Sequence, residues 1–139
     1  NTLLNKHSGL LGISGVSSDM REIIGEMKQG NKRAEYAFDV FTYRVKKYIG
    51  AYMAAMGGAD AVVFTGGIGE NSPDVRRACC DNLAFLGIEL DEEKNSSAQK
   101  EKSIHSVNSR VKVYVVPTNE ELMIALETAA ICGPGAKQK

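Results

Sequence analysis

Three glycines close an apolar run in the stretch DAVVFTGGIGENSPDVRR, residues 60–77, and a proline follows shortly after. Glycines at such a junction leave backbone N–H groups uncovered, and a helix N-terminus beyond them favours an anion. The chemistry on offer is a cradle for a nucleotide phosphate. Two other readings share the spacing. A tight strand-to-helix turn uses glycine only for positive φ and close backbone approach. A dinucleotide fingerprint takes Gly67 and Gly69 as its first two glycines and Glu89 as its ribose-binding acid. Its third glycine is replaced by Ser72, and Pro73 follows. A Walker A loop is excluded, because no lysine follows the glycines at the required place.

Two other stretches carry residues able to act. In SSDMREIIGEMKQG, Asp19 can cap a helix while Glu22 reaches back as in a capping box. On composition alone Asp19 and Arg21 are a cap and a solvated charge, and Met20 fills core. In PTNEELMIALETAAI, Thr118 as N-cap places Glu121 at N3, where its carboxylate returns to the backbone. Glu120, one residue earlier, points about 100° away from Glu121 and follows the C-terminal end of the preceding strand, the edge where open α/β sheets bind ligands.

The remaining reactive types have plainer roles. His7 and His105 have no acid or nucleophile at catalytic spacing and are expected to be structural or superficial. Cys79 and Cys80 are neighbours on a helix, about 100° apart and without metal-site company, which assigns them to core. Arg76 and Arg77, just inside the helix after the glycines, are expected to be solvated and stay outside the site.

These residues need elements to hold them. Residues 8–18 read as a glycine- and serine-rich loop, and a helix from Asp19 ends at Gly30. Ala34, Ala37, Phe38, Phe41, Val45, Tyr48, Ile49, Tyr52, Met53 and Met56 recur at helical spacing. They predict a helix from Lys32 to Met56, roughly 37 Å long, stopped by Gly57-Gly58. Ala51, Ala54 and Ala55 add small apolar surface, so its second half is expected to be covered on more than one side. Residues 60–65 suit a buried parallel strand. Ser72-Pro73 starts a helix running to about Leu86 and ended by Gly87. Residues 88–90 suit a short strand, residues 91–103 an exposed loop, and residues 110–116 a strand. A last helix follows, with a frayed tail over residues 133–139. Strands separated by helices predict an α/β fold with a parallel sheet.

The 139 residues suffice for one compact domain. Seventeen basic residues balance seventeen acidic ones, so net charge draws the chain to neither nucleic acid nor an anionic membrane. Apolar stretches are interrupted too often for a spanning helix. Three cysteines, two of them adjacent, make no disulfide framework and fit a cytoplasmic location. The opening NTLLNKHSGLLGISG lacks a methionine, and a fragment is expected.

Three phrases carry a resemblance. SGLLGISGVSSDMRE, VVFTGGIGENSPDVRR and VPTNEELMIA, in that order, resemble the C-terminal part of acetate kinase, with propionate kinase as the close relative. The likeness runs from Asn1 to about Cys132, roughly the last third of a family member. It implies a portion of a ribonuclease-H-like domain in the sugar kinase/heat-shock ATPase/actin superfamily. It implies reversible phosphoryl transfer from ATP to acetate with Mg²⁺, giving acetyl phosphate and ADP, in a homodimer. By that resemblance Asp19, Met20 and Arg21 form one ATP-binding segment, and Gly67, Ile68, Gly69, Glu70 and Asn71 the other. Glu120 matches the magnesium-associated glutamate. The family's catalytic arginines, aspartate and histidine, and its N-terminal asparagine, lie upstream of these motifs. No catalytic residue is therefore expected in this chain, which alone should be inactive. The alternatives to this reading are the NAD(P)-binding domain above and a non-catalytic module that oligomerises through the long helix.

Overall fold

The computed structural model describes residues 1–97 and 102–132. The tail expected to fray, residues 133–139, lies outside them, as do residues 98–101 of the expected loop.

Residues 8–18 are only in part the predicted loop: Gly9–Ser14 is helical, and residues 15–18 are not. Helix α1 (Thr2–Lys6) leads to α2 (Gly9–Ser14), which Gly15 ends at φ +72°. Tertiary contact overrides composition here. Leu10 and Ile13 pack on the core, and Arg33 donates to the Gly12 and Ile13 carbonyls at 3.1 and 3.0 Å. Orphan carbonyls at a helix end need such partners.

Helix α3 (Met20–Lys28) starts where the sequence places it, with the Asp19 carboxylate accepting from the Arg21 N–H at 2.8 Å. The capping box is incomplete, because the Asp19 N–H donates to Ser17 Oγ instead of to Glu22. Ile23 and Met20 are the buried side of α3. Truncating Ile23 to Ala would cost about 2–5 kcal/mol, as for other fully buried aliphatic side chains.

Helix α4 (Lys32–Met56) is capped by Asn31 Oδ1, which accepts from Arg33 and Ala34 N–H groups. It ends at left-handed Gly57, and the Gly58 N–H reaches the Met53 carbonyl at 2.8 Å. Ala34, Ala37, Phe38, Thr42 and Met53 are buried against α2, α3 and a later helix. The expected cover over its second half is missing among the described residues: Tyr48, Tyr52 and Met56 are exposed, as are Ala51, Ala54 and Ala55.

Strand β1 (Ala61–Phe64) leads directly into helix α5 (Gly66–Asn71), so the glycine stretch is a short helix and not a loop. Ser72 then caps α6 (Pro73–Cys80), accepting from the Val75 N–H, with Pro73 in the first turn. The predicted continuation to Leu86 breaks at Asp81, since Leu83 turns into the core and only a 3-10 turn, Ala84–Leu86, follows. The strand expected at residues 88–90 reduces to one bridge, Leu90 with His105. Within the expected loop lie helix α7 (Glu92–Ser96) and strand β2 (Lys102–Ser103).

Strand β3 (Lys112–Val115) pairs in parallel with β1, Phe64 opposite Val115, and antiparallel with β2. The sheet order is β1-β3-β2, so the sheet is mixed where an all-parallel one was expected. Val113 and Val115 join Phe64, Val75, Cys79 and Ile104 in the core shared with α3, α4 and α6. Helix α8 (Glu120–Cys132) follows β3 with no buried side chain. Its cap is Asn119, whose Oδ1 accepts from the Leu122 N–H at 2.9 Å, and not Thr118.

Candidate functional site

The amino ends of α3, α5 and α6 converge on one cleft of about 990 Å³. That size suits a ligand of nucleotide dimensions. Asp19, Met20 and Arg21 line one wall; Gly67, Ile68 and Asn71 line the facing one. Ile24 and Pro73 add apolar surface between them. The lining combines this apolar surface with polar and charged side chains, Asp19, Arg21, Lys28, Asn71 and Asp74 among them, as small-molecule sites do.

Each wall has a local cause. Met20 is almost fully buried, which anchors the first residue of α3 and leaves its neighbours Asp19 and Arg21 at the rim. Gly66 takes φ +70°, the left-handed conformation a tight turn out of β1 requires. Gly67 and Gly69 do not have positive φ. Gly69 instead abuts β1: a Cβ there would lie 3.3 Å from the Phe64 carbonyl carbon. At Gly67 a Cβ would meet nothing within 4 Å. Asn71 Nδ2 donates back to the Gly67 carbonyl at 2.9 Å.

Charges at the rim are paired with each other. Arg21 and Asp19 meet at 2.6 Å, and Lys28 meets Asp74 at 3.0 Å. The Arg21 side-chain and backbone hydrogen bonds hold the Asp19 carboxyl down at about 2, and Asp19 in turn raises the Arg21 pKa. The Arg21 side chain is 87% exposed, so its guanidinium can reach an anion entering the cleft.

Three candidate residues do not line the cleft: Gly69, which abuts β1, Glu70 and Glu120. Glu70 turns away from it: Oε1 accepts from the Gly66 N–H at 2.9 Å, the Thr118 N–H at 2.8 Å and the Thr118 hydroxyl at 3.1 Å. The Thr118 hydrogen bonds, with that from Gly66, hold its carboxyl below the ordinary value. Glu120 stands exposed at the first turn of α8, two residues beyond Thr118. Among the described residues no group of three or more His, Cys, Asp or Glu gathers to hold a metal.

The dinucleotide fingerprint does not assemble. Glu89 lines a separate shallow hollow with Asp81 and Asn82, away from Gly67 and Ile68. His105 serves the sheet, its Nδ1 accepting from the Val113 N–H at 3.1 Å, and Cys79 and Cys80 are buried thiols whose burial pushes them up to about 11 and about 12.

One residue set aside in the sequence belongs to the site's foundation. Arg76 is fully buried, not solvated, and donates to the Gly69 and Glu70 carbonyls at 2.8 Å each. Its other partner, Asn95, lies in a stretch whose polar composition reads as surface, so no local signal marks it. Arg77 is half-exposed and pairs with Glu92 and Asp74, as a surface arginine does.

The model of the Acetokinase family matches residues 1–126. The acetate kinase of Symbiobacterium thermophilum is 58% identical over 131 residues, covering 94% of this chain and 33% of that protein. The crystal structure of Porphyromonas gingivalis acetate kinase superposes with a TM-score of 0.86 at 52% identity, covering 94% of this chain and 33% of that one. A propionate kinase from Francisella tularensis superposes with a TM-score of 0.81 at 45% identity, over 91% of this chain and 32% of that one. The chain thus spans about a third of the length of the relatives it matches. No helix of its described residues is long and apolar enough to cross a membrane. By the extent of the family match, the chain belongs to the acetokinase family.

Proposed function

We propose that this chain supplies the nucleotide-binding part of a phosphotransferase that moves the γ-phosphoryl group of ATP to acetate, reversibly, giving acetyl phosphate and ADP. The observation that carries this reading is the single cleft shared by Asp19–Met20–Arg21 and Gly67–Ile68–Asn71. Relatives named acetate kinase, alike at more than half of their aligned positions, give the cleft its substrate class. The apolar surface of Ile24, Ile68 and Pro73 receives the base. Arg21 and the uncovered backbone of Gly67 face the phosphates, where positioning and charge neutralisation do most of the work of phosphoryl transfer. Gly69 and Glu70 shape this wall from behind instead of touching the ligand.

Glu120 is the residue that would hold Mg²⁺ when the ion is bound with nucleotide. A single exposed carboxylate at the edge beyond β3 fits an ion that keeps most of its waters and takes its other ligands from phosphates. The metal would neutralise charge on the transferring group. The acceptor pocket belongs to parts of the relatives that this chain does not span. A propionate kinase among the structural neighbours keeps a longer carboxylate as the second reading for the acceptor.

The finer fold reading is a portion of a ribonuclease-H-like domain of the sugar kinase/heat-shock ATPase/actin superfamily over residues 1–132; the parallel β1–β3 pair flanked by helices supports it. A cytoplasmic homodimer completes the proposal. Free Cys79, Cys80 and Cys132 support the first term, and the exposed Tyr48, Tyr52 and Met56 of α4 offer a surface for the second. Calorimetric titration with MgADP, and separately with NAD⁺, tests the function: saturation by the first and not the second is expected. NAD⁺ preference, or no binding of either by a complete enzyme carrying this chain, would overturn it.

A further inference from the structure

We infer that Arg76 and Asn95 are positioning residues for the nucleotide wall, holding α5 from the side that ligand never touches; this rests on the cleft reading above. Both side chains are fully buried. The guanidinium spends its donors on four oxygens: Asn95 Oδ1 at 2.8 Å, the Asn95 carbonyl at 2.7 Å, and the Gly69 and Glu70 carbonyls at 2.8 Å each. Asn95 Nδ2 donates in turn to the Pro73 carbonyl at 3.0 Å. One fork therefore joins α5, the start of α6, and α7.

The cost of this arrangement argues for a purpose. A buried cation is expensive without an opposite charge, and among the described residues the partners of Arg76 are neutral amide and carbonyl oxygens. An aliphatic side chain would fill the same volume at lower desolvation cost. What it would not do is satisfy the carbonyls at the end of α5. That helix has six residues, three of them glycine, and so little intrinsic stability. Its terminal carbonyls have no partners inside the helix. Gly67, Ile68 and Asn71 share α5 with the two clamped carbonyls, so any drift of Gly69 and Glu70 displaces the ligand-facing wall. Lysine cannot replace the fork, since its ammonium has no planar pair of donors.

Two measurements test this. In the complete enzyme, Asn95→Ala removes the Nε acceptor and the Pro73 tether while leaving the carbonyl bonds. The KM for nucleotide should rise about tenfold or more, the scale of a misplaced binding group, with the KM for the carboxylate unchanged. Arg76→Lys should reproduce that split, not rescue it. In the unmodified protein without nucleotide, the Asn71 and Ser72 amides should resist hydrogen exchange as well as the amides of α6 do, which requires no variant to fold. Exchange there as fast as in an unstructured turn overturns the inference. So does an unchanged nucleotide KM, or an equal rise in both KM values. No saturation by nucleotide in the unmodified enzyme would overturn the cleft reading and this inference with it.

Discussion

The carboxylate of Glu70 and the first residues after β3 are joined by a forked contact: Glu70 Oε1 accepts both the N–H and the hydroxyl of Thr118, at 2.8 and 3.1 Å. The same oxygen accepts the Gly66 N–H. One carboxylate thus ties the turn out of β1 to the segment leading into α8. Glu120 is two residues further on, so the proposed metal-side carboxylate is indirectly held by the proposed nucleotide wall.

Acid should loosen this tie. The Glu70 carboxyl lies below its ordinary 4.5 because Thr118 and Gly66 hydrogen-bond its charged form. A depressed folded-state value means the stabilisation is complete above the unfolded-state pKa and is lost as pH falls through the folded one. Glu70→Gln should therefore melt lower than the parent at neutral pH, and its melting temperature should fall less steeply below about pH 5. Parallel melting curves across that range would show that Glu70 contributes no such linkage.

Gly67 and Gly69 of α5 should respond differently to bulk. Gly67 has open space where a side chain would begin and lacks positive φ, so Gly67→Leu should fold normally. Its side chain would enter the cleft, and ADP affinity should drop by about tenfold or more, a loss of at least ~1.4 kcal/mol. Gly69→Val instead presses on the Phe64 backbone and should cost about 1–3 kcal/mol of stability. Thermal melts and ADP titrations on both variants check this. Undiminished ADP binding by a folded Gly67→Leu protein would remove α5 from the site.

Elements with long, unbroken periodicity are legible in the sequence. The α4 pattern, the Lys32–Met56 limits of that helix and the β-branched runs of β1 and β3 appear in the structure within a residue or two, although β1, expected to be buried, leaves Ala61 and Val63 exposed. Features set by distant partners are not legible. Thr118 has the composition of a cap, yet Glu70, 48 residues earlier, recruits it and leaves the cap to Asn119. Arg76 looks solvated until Asn95, 19 residues later, folds over it. Three glycines predict a loop, because nothing local announces a clamp that lets them be helical. Composition marks Gly67 and Asp19 separately; that their stretches face one cleft is a tertiary fact that no spacing encodes.

Asp19 should remain ionised far into acid. Its pair with Arg21 is exposed, so its contribution to folding is small and screened by salt, but its titration is a direct report on rim geometry. A carbon-detected NMR titration should place its midpoint near the value of about 2 that the Arg21 hydrogen bonds impose, against 3.8 for a free aspartate. Arg21→Leu keeps the backbone N–H and removes the guanidinium, so the midpoint should move up toward the ordinary value. A midpoint near 3.8 in the parent protein would mean that Arg21 does not hold Asp19 in solution. The guanidinium would then be free to meet a phosphate without first leaving a partner.

The adjacent glutamates of α8 should differ in function and hardly at all in stability. A capping box between Thr118 and Glu121 would have made Glu121 structural, but Asn119 is the cap and Thr118 is bound to Glu70. Glu120 and Glu121 are both exposed in the first turn, where each adds only a favourable charge near the helix N-terminus. Glu121→Ala should therefore leave the melting temperature and the Mg²⁺ dependence of a complete enzyme nearly unchanged. Asn119→Ala should lower stability by about 1 kcal/mol, the ordinary loss on removing an N-cap, with Mg²⁺ dependence intact. Glu120→Ala should do the converse, demanding more Mg²⁺ for half-maximal activity while melting like the parent. It alone of the three is proposed to meet the ion. Activity measured against Mg²⁺ concentration for the three variants decides the matter. Equal Mg²⁺ responses of the Glu120 and Glu121 variants would leave the helix dipole as the whole account of both carboxylates.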